Sequence, residues 1–370
     1  MTKKFIFSFF IPILLLIFFF IYLQNNEVKK TSIKNCNNLS YDESLFLHPK
    51  NFAKFELELV FPSEKSWRRH VIETDLEAKN NEEKYGLKFY KNLKRVDAIF
   101  EISLKKNLKC FLEARVRPHG LLQDHRDASE SLPSLNVTLK NGNFFGITKF
   151  ILFRPHTRYW DNEIFVSTLL KDLGFISPRT TKITLTYKNE KKDFLFQERI
   201  VKELLESNYF REGPLYEGDN RFSILFNENQ ERFDISKHKL MNEKWSLNSS
   251  SKMSMSQQGL SILNKSNENY KDTLKNPKTI PPSDYFTLEK KKFSTSYFEN
   301  YDVYDAINFA IKTEHGLSSD DRTYYYDPFY KKFHPIYWDG MSYLLDGYNY
   351  NFGNFTEYKQ LITPSAKIVK

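Results

Sequence analysis

Glycine and cysteine are both scarce in this chain of 370 residues, with 12 glycines and only two cysteines. The chain therefore has little material for a glycine-rich phosphate loop, and Gly120 is the only glycine at a suitable place among the first strands. The cysteines, Cys36 and Cys110, form no C-x-x-C pair, which excludes a zinc ribbon or a thioredoxin-type motif. In an oxidising compartment they could form a disulfide, while two free buried thiols are an equally good interpretation.

Several common catalytic signatures are missing as well. The chain has no G-x-S-x-G elbow and no H-E-x-x-H helix, which disfavours a hydrolase, and no V-A-I-K strand, which excludes a standard protein kinase. The formal net charge is +9, but the basic residues are scattered and match no nucleic-acid reader motif. We therefore expect a solvated basic surface and no nucleic-acid partner; attraction to an anionic membrane or an envelope polymer fits this charge equally well.

The N-terminus carries an uncharged apolar run over residues 5–23, which is long enough for a helix to cross a membrane. Lys3 and Lys4 precede the run, so the positive-inside rule places the N-terminus in the cytoplasm. No small-residue cleavage motif follows it. The sequence thus predicts an uncleaved signal anchor over 1–24, with cleavage as the alternative. A linker over 25–50 would then lead to a domain at the cell surface or in the periplasm.

The rest of the chain divides into a β-rich region over 51–200 and a predominantly helical region over 201–370. Alternating apolar residues predict strands over 54–61, 97–104, 109–117, 135–140, 149–154, 180–187 and 193–197. Asn141-Gly142 predicts a tight hairpin turn between two of them. Helical periodicity predicts helices over 161–174, 198–208 and 302–315. The Ser/Asn-rich segment 246–284 is predicted to be a mobile insertion or an interdomain loop.

The strand over 109–117 has a basic face. Arg115 and Arg117 share one side because side chains alternate along a strand, and they run into a turn at Gly120. Guanidinium groups in that arrangement suit phosphate or carboxylate, and a solvated sheet face is the alternative. His119 and His125, which follow, match no standard zinc spacing, so we predict a polar loop there and no metal.

The stretch over 315–340 contains the strongest candidate site. Strands over 323–327 and 333–338 would return the chain so that Asp320 and Asp321 lie beside Asp339. Three carboxylates that converge with no evident basic cluster nearby repel one another unless a cation lies between them. We therefore predict a divalent-metal site, the alternative being aspartates that only stabilise turns.

With these motifs in view, the chain resembles the CotH kinase family of atypical, protein-kinase-like proteins. The resemblance extends from Arg115 to Gly340 and depends on residues 115–120, 161–163, 173–178, 196–198 and 321–340. It implies an α+β, two-lobe kinase-like fold. The N-lobe would be an antiparallel sheet with one αC-like helix, and the C-lobe would be helical.

The resemblance also implies binding of ATP with Mg²⁺ or Mn²⁺ and phosphorylation of Ser or Thr in a surface or envelope protein. Asp339 and Asp321 would hold the metal, and His315 or Asp320 would act on the acceptor hydroxyl. The expected cofactor-binding residues are Arg115, Arg117, Lys149, Glu163 and Glu198. The alternative function is a non-catalytic envelope module that keeps the fold in order to bind a polymer or a partner protein.

Overall fold

The computed structural model describes residues 32–38, 56–85, 94–105, 108–120, 125, 132–219, 237–273, 299–313, 316, 322–342 and 344–345. The predicted membrane anchor lies outside these residues, and so do His315, Asp320 and Asp321. Within the described part of the chain, no helix combines the length and the apolar composition needed to span a bilayer.

The first eight strands form one large sheet. They are β1 Ser32–Asn35, β2 Glu56–Val60, β3 Val96–Lys105, β4 Leu108–Pro118, β5 Leu135–Leu139, β6 Lys149–Phe153, β7 Thr180–Tyr187 and β8 Glu190–Glu198. Their order is β1-β4-β3-β2-β7-β8-β6-β5, and β5 pairs again with β4, so that the strands from β2 to β8 close into a ring. β1 adds to β4 in parallel, and the Cys36–Cys110 disulfide fixes it there.

The inner face of this closed sheet is a continuous apolar core. Alternate residues of each strand point inward, including Phe100, Phe150 and Phe196. Helix α1 (Glu64–Tyr85) packs beside this core through Trp67, which stacks on Phe61 with ring centroids 4.4 Å apart.

A second, four-stranded antiparallel sheet follows in the chain. Its strands are β9 Leu215–Asp219, β10 Lys237–Leu240, β11 Thr323–Asp327 and β12 Lys332–Ile336, in the order β10-β9-β11-β12. The remaining helices are α2 Asp161–Asp172, α3 Lys202–Ser207, α4 Glu243–Ser246, α5 Ser250–Thr273 and α6 Tyr301–Ala310. The buried tyrosines of β11 pack between α3 on one face and α5 with the start of α6 on the other.

Helix α2 joins the two sheets. Ile164 on α2 and Trp338, two residues after β12, pack on Ile151, Phe153 and Leu195, which point outward from the closed sheet. The opposite side of α2 contacts α6. A backbone hydrogen bond from the Tyr337 N–H to the Ile176 carbonyl ties the end of β12 to the same region. The outer face of the closed sheet therefore meets the Trp338–Asp339 segment.

The predicted two-lobe kinase-like fold is wrong. The first sheet closes on itself through the β4–β5 pairing, and the region after residue 200 contains a second sheet where a helical lobe was expected. Strand alternation shows which side of a strand is buried but does not show which strands pair, so it cannot distinguish an open sheet from a closed one.

Three smaller elements also differ from their predictions: the segment 250–273, the helix predicted from residue 198 and the turn at 141–142. Residues 250–273 were predicted as part of a loop because their Ser/Asn-rich composition disfavours a helix. They form α5, which is stabilised by the burial of Leu263 and Ser256. The helix predicted from residue 198 begins at Lys202, since β8 continues through Glu198. The two-residue turn at Asn141-Gly142 is part of a longer loop over 140–148.

Candidate functional site

Four basic side chains gather on the outer face of the closed sheet around Asn136 of β5. The strand register places Arg117 of β4 opposite Asn136. Arg95 donates to the Asn136 Oδ1 at 3.0 Å and to its carbonyl at 3.1 Å, and Arg199 donates to the same Oδ1 at 3.4 Å. The Arg199 N–H binds the carbonyl of Lys149 at the start of β6. We call Arg95, Arg117, Lys149 and Arg199 the basic patch.

The basic patch is electrostatically costly. Burial, followed by repulsion from Arg117 and Arg199, lowers the pKa of Arg95 to about 10. Burial and the neighbouring Arg199 also lower the pKa of Lys149, which Glu203 partly opposes. Among the residues that the structure describes, neither Arg95 nor Arg199 forms an ion pair with a carboxylate. Half-buried cations held together in this way favour the binding of an anion.

Asp339 lies at the end of this surface nearest the second sheet. Its backbone is in the left-handed region with φ of 51°, and its Oδ2 accepts a hydrogen bond of 2.9 Å from Arg158. The guanidinium of Arg158 lies over the Phe153 ring at 4.3 Å. The other carboxylate oxygen, Oδ1, is buried and has no hydrogen-bond partner in the described structure. That oxygen is a buried, unsatisfied acceptor, which a cation or a donor group of a ligand would satisfy.

His119 connects the two parts of the surface. Its ring lies against Phe153, with centroids 5.1 Å apart. Burial lowers the pKa of His119 well below its usual value, and Arg158, then His125 and Arg117, lower it further. His119 and Arg158 both lie against the Phe153 ring, and His119 follows Arg117 by two residues, so the Asp339 end and the basic patch lie on the same region of the outer face.

A buried carboxylate stands behind the site. Glu163 on α2 is fully buried and accepts hydrogen bonds from Gln197 at 2.6 Å and from the Tyr337 hydroxyl at 2.7 Å. Burial raises its pKa to about 7, an effect that Arg158 opposes and that Asp339 reinforces. Its direct partners are neutral, so burial outweighs the stabilisation that they provide.

Only some of the predicted cofactor-binding residues come together. Arg117 and Lys149 belong to the basic patch, whereas Arg115 is exposed and lies 3.8 Å from Asp97 in an ion pair. Glu163 faces Tyr337 and not Lys149. Glu198 is buried at the inner-face end of β8, where Arg179 binds both of its carboxylate oxygens at 2.7 and 2.8 Å.

The predicted metal site is described only at Asp339. Because Asp320, Asp321 and His315 lie outside the described residues, their roles stay predictions. Among the described residues no cluster of three His, Cys, Asp or Glu side chains exists. Arg158 already neutralises part of the Asp339 charge. The prediction of a metal site assumed that no basic group lay near this carboxylate.

Sequence reasoning missed Arg95, Arg158 and Arg199. Arg95 directly precedes β3 and Arg199 directly follows β8, so both lie just outside the strands in which alternation was followed. Arg158 ends a short 3-10 helix, Pro155–Arg158, before α2. The sequence feature that could have identified Arg158 is the cluster of Arg154, His156 and Arg158 directly after a predicted strand.

The fold and the site define a mixed α/β protein in which a closed sheet carries a half-buried basic surface beside an Arg–Asp pair. Neither a scan against models of known protein families nor a search among curated proteins finds a match to this chain.

Proposed function

We propose that this chain binds a nucleoside triphosphate on the outer face of the closed sheet and transfers its terminal phosphoryl group to a Ser or Thr hydroxyl of a surface protein. One observation carries the proposal: the basic patch converges around Asn136, and His119, which the charges of both Arg117 and Arg158 affect, links it to the Arg158–Asp339 pair. The motif resemblance to CotH-type kinases motivates the same chemistry, although the two-lobe fold that it implied is not the fold of this chain.

The basic patch would bind the phosphate groups. Arg95 and Arg199 share the Oδ1 of Asn136 as an acceptor. Each guanidinium has more N–H donors than this one acceptor can satisfy. Arginine forks bind phosphate oxygens in pairs, and Lys149 adds a point charge. Binding an anion would relieve the mutual repulsion that lowers the pKa of Arg95.

Asp339 would contribute to a divalent cation. Mg²⁺ commonly takes one or two protein carboxylates together with water and substrate phosphates, so a single unsatisfied carboxylate oxygen fits it. When bound, such a cation neutralises charge that develops on the transferred phosphoryl group. Asp321 stays the predicted second carboxylate, and His315 or Asp320 the predicted partner of the acceptor hydroxyl.

A second candidate is a non-catalytic envelope module. The Arg158–Asp339 ion pair favours it, because a carboxylate that is already paired at 2.9 Å binds a cation less readily. Such a module would use the basic patch to bind an anionic polymer or partner at the cell surface, where the predicted N-terminal anchor would hold it.

Calorimetric titration of the full chain separates the candidates. We expect ATP with Mg²⁺ to bind, and we expect Arg199→Gln or Arg95→Gln to weaken this binding about tenfold, which corresponds to about 1.4 kcal/mol. Arg115→Gln, an exposed arginine on the same face, is the matched control and should leave affinity within about twofold.

The Mg²⁺ arm tests Asp339. Asp339→Asn should abolish the gain in ATP affinity that Mg²⁺ provides and should abolish transfer of labelled phosphate to a protein acceptor. Binding of pyrophosphate or of an anionic polymer with no effect of Mg²⁺ would support the module. Equal binding by the wild type and both patch variants would overturn both candidates.

A further inference from the structure

Glu163 was expected to bind a cofactor, but its carboxylate accepts a hydrogen bond from Tyr337. The resemblance implies a carboxylate that contacts the cofactor, yet the Glu163 carboxylate is fully buried and directed at the Tyr337 hydroxyl, 2.7 Å away. Lys149, its expected partner, is instead influenced by Glu203. A buried, charge-bearing group is kept in a protein at a cost, so its partner is informative.

Tyr337 lies two residues before Asp339, and its ring packs against Gly340. A Cβ added to Gly340 would lie 2.5 Å from the Tyr337 Cε2 and 2.5 Å from its hydroxyl oxygen. The ring end is not free to move away, because its hydroxyl donates to Glu163. The segment over residues 338–340 therefore packs against a ring that Glu163 holds.

In this segment Asp339 has a φ of 51°, a left-handed conformation that is uncommon for residues other than glycine and that is held here by constraints from the surroundings. Two neighbouring elements provide those constraints. Arg158, which directly precedes the turn into α2, binds the Asp339 carboxylate, and Glu163, in the first turn of α2, binds Tyr337. Asp339 is thus held at its side chain and, through Tyr337, at its backbone.

We propose that Glu163 is a positioning residue, which acts through Tyr337 to fix the backbone of the strand end that carries Asp339. What Asp339 then binds depends on the proposed function. The fixed geometry of the strand end does not depend on it. Glu163 does not touch the ligand in this scheme.

The test uses Glu163→Gln and Tyr337→Phe in the full chain. Tyr337→Phe removes only the hydroxyl and keeps the ring, so that packing against Gly340 is retained. Tyr216→Phe, in β9 of the second sheet, is the matched control, because its hydroxyl is also buried and donates a hydrogen bond of 2.6 Å to the Ser256 carbonyl in α5.

The first readout is hydrogen exchange without any ligand. The Tyr337 amide donates to the Ile176 carbonyl at 2.9 Å, so its exchange rate reports local opening of the strand end. We expect this amide to exchange about tenfold faster in Glu163→Gln and Tyr337→Phe, and at the wild-type rate in Tyr216→Phe.

The second readout separates positioning from general loss of structure. Mn²⁺ affinity, measured with pyrophosphate present, should fall about tenfold in both variants, which corresponds to about 1.4 kcal/mol. Affinity for pyrophosphate alone should stay unchanged, because the basic patch lies on other strands. Wild-type exchange and wild-type Mn²⁺ affinity in both variants would overturn the inference.

Failure of the proposed function gives a different pattern. If the wild-type chain binds neither Mn²⁺ nor pyrophosphate, the proposed function is overturned, and the exchange rates alone decide the inference. Faster exchange at Tyr337 would then still support Glu163 as the residue that fixes the strand end, and unchanged exchange would reject it.

Discussion

The two faces of the closed sheet carry opposite kinds of side chain although the same strands build both. The inner face contains the phenylalanine core, in which Phe150 and Phe196 stack with centroids 4.5 Å apart. One residue away in the chain, Ile151 and Gln197 point outward to α2 and the site, where Gln197 binds Glu163. Period-two alternation therefore lets one strand serve stability on one side and binding on the other.

The two faces contribute to the stability of the folded state with opposite signs. Apolar burial on the inner face stabilises the folded state by about 25 cal/mol per Å². On the outer face, half-buried cations and the buried Glu163 oppose folding, as their displaced pKa values indicate. We therefore expect substitutions on the inner face to lower stability without altering anion affinity per folded molecule. Substitutions in the basic patch should lower anion affinity without lowering stability.

The largest expected effect comes from the inner face. Phe150→Ala should lower the free energy of unfolding by about 3–5 kcal/mol, because it removes a buried ring that contacts Phe196 and Phe100 and leaves a cavity. Denaturant unfolding measures this change. Anion affinity of the folded fraction should stay at the wild-type value; a parallel loss of affinity would show that the two faces are not independent.

Next in size is the pH dependence contributed by Glu163. Its pKa rises from 4.5 to about 7 on folding, so the folded state binds a proton more tightly than the unfolded state. Stability from this group is present below pH 4.5 and is lost as pH rises to about 7, a change of about 3 kcal/mol. Glu163→Gln should remove that decline.

The measurement is the free energy of unfolding of both proteins between pH 4 and pH 8 (about four units, chosen to bracket both pKa values). His119 contributes an opposite slope, because its lowered pKa costs stability as pH falls below 6.5. Subtracting the variant curve from the wild-type curve isolates Glu163. A difference curve that is flat across this range would contradict a raised pKa.

A smaller effect with the opposite sign is expected in the basic patch. Arg199→Met keeps the apolar stem, removes a charge that burial and Arg117 both disfavour, and loses only a 3.4 Å hydrogen bond. We expect the free energy of unfolding to rise by about 1 kcal/mol while anion affinity falls. A stability loss in thermal unfolding would mean that Arg199 serves the fold and not binding.

The sequence allowed the faces to be predicted but not the closure or the site as a whole. Alternation correctly separated Val116 from Arg115 and Arg117, because it depends only on strand geometry. The disulfide was one of two open alternatives, since a separation of 74 residues conveys no distance. Helix α1 was missed because its buried positions include His70 and Thr74, which hide the apolar period.

The site depended on long-range contacts that local patterns do not contain. Arg158 and Asp339 are 181 residues apart, and Glu163 and Tyr337 are 174 apart. Glu198 was grouped with the cofactor residues by motif, yet its partner Arg179 holds it at the inner-face end of the sheet. A motif therefore grouped segments of the chain without assigning the direction of each side chain.

The smallest expected effect sharpens the boundary of the basic patch. Arg115 shares the outer face of β4 with Arg117, but its side chain is 63% exposed and its ion-pair partner Asp97 is 59% exposed. Solvent screens such a pair, so Arg115→Gln should change the free energy of unfolding by less than about 0.5 kcal/mol and leave anion affinity within about twofold. Titration beside Arg117→Gln measures this. A loss in Arg115→Gln that equals the loss in Arg117→Gln would extend the patch along the whole strand, because charge alone, and not burial among the four cations, would then determine affinity.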